Sequence, residues 1–151
     1  MTVNMNLASL YEVEYDQWLT QTISLLKENR FNELDKDHLI EELEDFSRRE
    51  KKTVERFLEQ IIRHLLLWQY WTAEHDYNAN HWQAEIMSFR TQINEDLTQN
   101  LRNHLQENQV KIYEKALNYV KQKTGYEVDF PENCPYTLDQ LLEMNWLPEK
   151  S

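Results

Sequence analysis

"LIEELEDFSRREKKTVERFLEQIIRHLLLW", residues 39–68, decides how this chain folds. Stepping about 100° per residue from Leu39 brings Leu39, Leu43, Phe46, Val54, Phe57, Ile61, Leu65 and Trp68 within about 50° of one line. That is the stripe of a helix buried along one side. Glu41, Glu44 and Asp45 fall on the far side, where water solvates them and the nearby helix N-terminus favours negative charge. Most of this acidic cluster therefore reads as a wet face and not as a metal site; Glu42 sits at the flank. A straight helix of this reach is roughly 55 Å long, against about 30 Å for the width of a compact domain of this size. The sequence thus calls either for a kink near Ser47 or for a helix that protrudes and pairs with another copy.

Working outward from this segment, breakers are scarce. Gly125 is the only glycine, and the prolines are Pro131, Pro135 and Pro148. Residues 1–124 hold no strong breaker and are rich in helix formers. A first helix is expected from about Tyr11 to Glu28, with Tyr11, Tyr15, Trp18, Thr22 and Leu25/Leu26 inward. Asn29 stands where a left-handed cap falls, and Asp35 is a plausible N-cap for the long second helix. "AEHDYNANH" reads as a polar turn, with Asn80 and Gln83 as a capping box. A third helix follows, its stripe Trp82, Ile86, Phe89, Ile93, Leu97, Leu101 and Leu105. A fourth runs from about Gln109 to Lys123 with Val110, Tyr113, Leu117 and Val120 inward, capped by Gly125. Thr137 and Gln140 form a further capping box, which opens a short helix over 138–144. The expected fold is all-α, a single domain over residues 1–151. It consists of a four-helix up-down bundle (about 8–124), then an irregular C-terminal arm (125–151) ending in the short helix.

With 151 residues the chain can bury a substantial core without staples. Cys134 is the only cysteine, so no internal disulfide forms and a reducing compartment is expected. "MTVNMNLASLYEVEYDQW" lacks the basic-then-apolar pattern of a leader, and the most apolar run, "IIRHLLLWQYW", is too short to cross a bilayer. These features predict a cytoplasmic protein with no membrane partner. The net charge of −11 is uneven. Residues 1–46 carry eleven acids and three bases (net −8), residues 47–71 three acids and six bases (net +3), and residues 72–151 thirteen acids and seven bases (net −6). An acidic surface repels phosphate backbones. The one basic segment, 48–63, alternates with Glu as solvated ion pairs do, so nucleic acid is not the expected partner.

Polar residues on apolar stripes are the candidates for function, because burying them unpaired is costly. Glu50 lies in the middle of the second-helix stripe, with His64 at its edge, and Arg90 and His104 lie on the third. If helices two and three turn near Tyr77, His64 faces Arg90 and Glu50 faces His104. A similar construction brings Glu14 level with Glu50. Glu14, Glu50 and His104 could then hold a divalent metal such as Zn, Mn or Fe, although the Glu-x-x-His signature of bundle metal sites is absent. The competing reading is a structural pair of Glu50 with His104 or Arg102, and of His64 with Arg90. Tyr70, Trp71 and Tyr77 are a candidate partner or ligand surface beside Trp68 and Trp82. His75, His81 and Glu85 read as an adventitious surface group. One glycine cannot build a phosphate loop or a dinucleotide fingerprint, and no spacing links Cys134 to a histidine.

"LYEVEYDQW", "RFNELDKDHLIEELEDFSRRE", "HLLLWQY" and "FPENCPYTLDQLLEMNWLP", in this order, resemble the domain of unknown function 29 family of uncharacterised, mainly cyanobacterial proteins. The resemblance extends from about Leu7 to Glu149. It implies an α-helical fold and carries no established activity, substrate or cofactor. Asn29 replaces a glycine of the family pattern, which fits a left-handed cap. Leu67 replaces a lysine, and His75 and His81 lie where the family has no pattern. With no catalytic motif, the leading expectation is a non-enzymatic interaction or regulatory module with a protein partner, or a homodimer. The alternative is a metal-dependent hydrolase-like bundle using Glu14, Glu50 and His104.

Overall fold

A computed structural model describes residues 6–150 and contains, among them, six α-helices and no strand. They are α1 (Leu7–Val13), α2 (Tyr15–Lys27), α3 (Lys36–Tyr70), α4 (Thr72–Glu95), α5 (Gln99–Lys123) and α6 (Leu138–Leu142). None of the described helices is long and apolar enough to cross a membrane. The chain divides into two compact units, Met1–Arg49 and Glu50–Ser151, and α3 contributes its first turns to one and the remainder to the other.

In the first unit the expected single helix over 11–28 is two. The break is at Glu14 (φ −136°, ψ 72°), whose N–H closes α1 on the Leu10 carbonyl while its own carbonyl accepts from Trp18. Neither glycine nor proline marks it, so no breaker residue pointed to it. Asn29 takes the left-handed conformation expected of it (φ 59°): its N–H bonds Leu26 and the N–H of Arg30 bonds Leu25, the paired reverse bonds of a Schellman stop. Asp35 caps α3 as expected, its carbonyl accepting from the Leu39 N–H. The unit is tied by aromatic rings with polar tips. Trp18 is fully buried and donates from Nε1 to Asp35 (3.1 Å), while Tyr11 stacks on His38 (centroids 4.2 Å apart). The Tyr11 and Tyr15 hydroxyls both donate to Glu42, at 2.9 and 2.6 Å. Glu42 is thereby the structural member of the acidic cluster. These two hydrogen bonds hold its carboxyl below the usual range, and the same contact pushes the Tyr11 phenol up to about 12.

The second helix is continuous: α3 is one helix of 35 residues. In the second unit its buried face is Val54, Leu58, Ile61, Ile62, Leu65 and Leu66, at most 4% exposed, turned from the expected stripe so that Phe57 and Trp68 are only partly buried. Burying each such side chain fully contributes about 1.5–3 kcal/mol. In the first unit the same stripe is open, with Leu43 60% and Phe46 55% exposed.

The expected polar turn over 73–81 is helical instead. The chain reverses at Trp71, and α4 begins at Thr72. Burying His75 between Trp68 and Trp82 overrides the turn propensity of the Asp and Asn residues around it. The next break also falls elsewhere than expected. The chain stops after Glu95, and Thr98 opens α5, its side chain accepting from the Leu101 N–H. Ile86, Ile93, Leu101 and Leu105 are buried as expected although the break divides their stripe, whereas Val110 is 72% exposed. Gly125 (φ 64°) ends α5 in a second Schellman stop, with Gly125 N–H on Gln122 and Tyr126 N–H on Lys121. The arm packs on the core through Phe130, Tyr136, Leu138, Leu141 and Leu142. Tyr113 donates to the Pro131 carbonyl (2.5 Å) and Tyr136 to Gln69 (2.7 Å). The Thr137–Gln140 capping box forms, and the helix it opens ends at Leu142, two residues short of the expected limit.

Candidate functional site

Within the second unit the anticipated polar pairs do not form. Glu14 is an exposed helix-break residue of the first unit, whereas Glu50 and His104 belong to the second. Among the described residues no three His, Cys, Asp or Glu side chains are arranged to hold a metal ion. The neighbour of His104 is Glu55, with Nε2 3.3 Å from the carboxylate, and Asn108 closes on its other side. Arg102, the other partner considered for Glu50, pairs with Asp139. The physical reason is register. The chain reverses at Trp71 instead of near Tyr77, and α5 starts its own helix, so residues matched by height along two long helices are displaced by a turn or more.

His64 and Arg90 likewise do not pair. His64 Nδ1 faces the Gln60 carbonyl at 2.6 Å, and its ring packs near Phe89. Burial lowers its pKa, so the neutral ring donates from Nδ1 to that carbonyl and leaves Nε2 unprotonated. Arg90 is 1% exposed and turns to the C-terminal arm. Its Nε donates to the Leu141 carbonyl (2.8 Å), Nη2 to Gln140 (2.9 Å) and Nη1 to Trp146 (2.7 Å). Gln140 and Leu141 lie in the last turn of α6, where carbonyls lack helical partners. Burial lowers the Arg90 pKa to about 10, which leaves it charged at neutral pH. Arg90 is a structural clamp. Its place on an apolar stripe was legible in the sequence, but its partner lies about fifty residues away.

The expected aromatic surface separates into three fates. Tyr70 ends α3 edge-on to Phe130 (6.0 Å) and belongs to the core edge. Tyr77 stands alone, 86% exposed. Trp71, at the reversal, stacks on Trp82 (6.0 Å, 21° between planes) and lines a cleft of about 320 Å³. The cleft lies in the second unit, among α3, α4 and α5, and is also lined by Arg63, His64, His81, Tyr119 and Lys123. The Arg63 guanidinium lies 3.7 Å from the Tyr119 ring centroid and is fixed by Glu59 at 2.6 Å. Lys123 Nζ is 5.9 Å from the same ring. Arg63, Tyr119 and Lys123 were not singled out by the sequence reading. On α5 the Tyr-x-x-x-Lys spacing was the available signal, because it places both residues on one helix face.

His75 is buried, and its Nε2 makes no hydrogen bond. The Cys134 thiol is half-buried between Gln109 and the Tyr136 carbonyl, and burial raises its pKa, away from reactive thiolate. A family model described as "Domain of unknown function DUF29" matches residues 10–147. No curated protein and no solved structure matches the chain.

Proposed function

This chain belongs to the DUF29 family, and from that premise we propose that it is a non-enzymatic helical interaction module whose first unit pairs with a second copy of itself. The observation that carries this reading is the uncovered apolar surface of that unit. Leu43 and Phe46 on α3 and Ile23 and Leu26 on α2 are between 41% and 60% exposed, and Leu19 on α2 and Ile40 on α3 are 37% and 54% exposed. Residues 19, 23 and 26, like residues 39, 43 and 46, follow the i, i+4, i+7 spacing of a helix-packing seam. Burying the exposed half of six such side chains contributes about 1 kcal/mol each, or about 12 kcal/mol for two copies. Association costs of about 4 kcal/mol or more leave a dimer of roughly micromolar affinity.

Charge favours a second copy over an unrelated partner. On α3 the acidic run Glu41, Glu42, Glu44, Asp45 is followed by the basic run Arg48, Arg49, Lys51, Lys52. Of these, Glu42 and Arg49 border the Leu43–Phe46 seam, and antiparallel pairing about Phe46 sets Glu42 of each copy near Arg49 of the other, a self-complementary arrangement of a two-fold interface. Sedimentation velocity over a concentration series tests this. The native chain is expected to pass from monomer to dimer in the micromolar range, more weakly at high salt. The exposed double substitution Leu43→Lys, Phe46→Lys is expected to stay monomeric with an unchanged helical circular dichroism spectrum. A native chain that is monomeric at about a hundred times that concentration overturns the reading.

A further inference from the structure

The cleft of the second unit collects positive charge in a chain whose net charge is −11. Arg63 and Lys123 both approach the Tyr119 ring, and none of the ten lining residues is a carboxylate. Glu59 is paired with Arg63, Glu74 accepts from Asn78, and Glu85 acts on His64 through its charge alone. Lys123 has no carboxylate partner among the described residues, so two cations near one ring share a single counter-charge. Such a site attracts an anion, and its partly closed walls concentrate the field.

The remaining lining sets the rest of the ligand. Trp71 and Trp82 are stacked nearly parallel, and Tyr119 and Leu67 add further apolar surface. Gln60 and Asn78 supply amides, and the Asn78 amide nitrogen is already spent on Glu74, which leaves its oxygen to accept. A volume of about 320 Å³ suits a small molecule and is too small for a folded partner. We propose that this cleft binds a small organic anion carrying a flat ring, with the anionic group held by Lys123 and Arg63 beside Tyr119 and the ring lying against Trp71 and Trp82. Arg63 is preorganised for this role because the Tyr119 face and Glu59 fix its plane, so little rotamer entropy is lost on binding. The site is independent of the pairing surface of the first unit, and either can fail without the other.

Calorimetric titration of the full chain with adenosine monophosphate and with indole-3-acetate, one phosphate and one carboxylate, tests the proposal. Adenosine and inorganic phosphate serve as ring-only and anion-only controls. At least one ring-bearing anion is expected to bind saturably and to quench tryptophan fluorescence, at least about tenfold tighter than either control, and more weakly at high salt. The exposed substitution Lys123→Gln is expected to weaken that binding about tenfold or more with no change in melting temperature, and Lys123→Glu to abolish it. The absence of saturable binding by both anions at about 10 mM overturns the proposal. Binding that Lys123→Glu leaves unchanged also overturns it, since the site then lies elsewhere.

Discussion

Replacing Arg90 with Met keeps an apolar stem at this position and removes the guanidinium donors that now meet the C-terminal arm. Three carbonyls, those of Gln140, Leu141 and Trp146, lose a charged partner at 2.7–2.9 Å. A hydrogen bond to a charged group contributes about 1.5–3 kcal/mol, and an orphaned buried acceptor costs about 1–3 kcal/mol. These losses overlap, and no buried charge is left behind to add to them, so the expected total is about 3–5 kcal/mol. For a unit of this size that lowers the melting temperature by more than about 10 °C. Arg90→Lys keeps the charge but supplies a point donor in place of a fork, and should recover only part of the loss. Urea unfolding gives the free energy. Amide exchange of Leu141 and Leu142 reports locally, because both are buried only while the arm is docked. A loss below about 1 kcal/mol for Arg90→Met, with the α6 amides still protected, would refute the clamp and leave the arm held by its other contacts, the packing of Phe130, Tyr136, Leu138, Leu141 and Leu142 among them.

Two further outcomes follow from local geometry. The His38–Asp35 contact (2.6 Å) raises the His38 pKa above its ordinary value. Burial pushes Asp35 upward, but hydrogen bonds from His38 and Trp18 outweigh it and hold it low. The pair therefore adds stability above about pH 4 and below about pH 6.5, and that stability is lost as pH rises through the raised His38 value or falls through the depressed Asp35 value. The melting-temperature gap between the native chain and His38→Gln should be widest near pH 5.5 and narrow as pH rises through the raised His38 value, and a gap that is flat with pH rules out the ionic account. At the other end of the chain, Thr98→Ala removes the side-chain cap on the Leu101 N–H and should cost about 1 kcal/mol in chemical denaturation, while Thr98→Asp should cost almost nothing; equal losses for the two would show that the cap contributes little.

Periodicity and caps carried the all-helical reading because both are local. The N-cap at Asp35, the left-handed stops at Asn29 and Gly125 and the capping box at Thr137 each depend on side chains within a few positions of one another, and each is found in place; the helix that the 39–68 stripe called for is continuous, although its Leu43 and Phe46 stretch stays open. The same is true of the family motifs, which are ordered strings. The breaks at Glu14 and Trp71 were not legible, since no breaker residue occupies either position and the chain turns there to bury Trp18, His75 and Trp82. That shift in the reversal moved the contacts inferred between the second and third helices. Glu50 lost His104 to Glu55, His64 found a carbonyl of its own helix, and Arg90 met an arm some fifty residues onward. The cationic cleft was invisible for the same reason: Arg63, Trp71, His81 and Lys123 are spread over sixty positions and share no spacing. A sequence states which face of a helix is apolar, because that is set by a 100° step along one chain. Which faces meet, and which stretch of an apolar face stays uncovered, as Leu43 and Phe46 do, is settled only when the helices find their registers against one another.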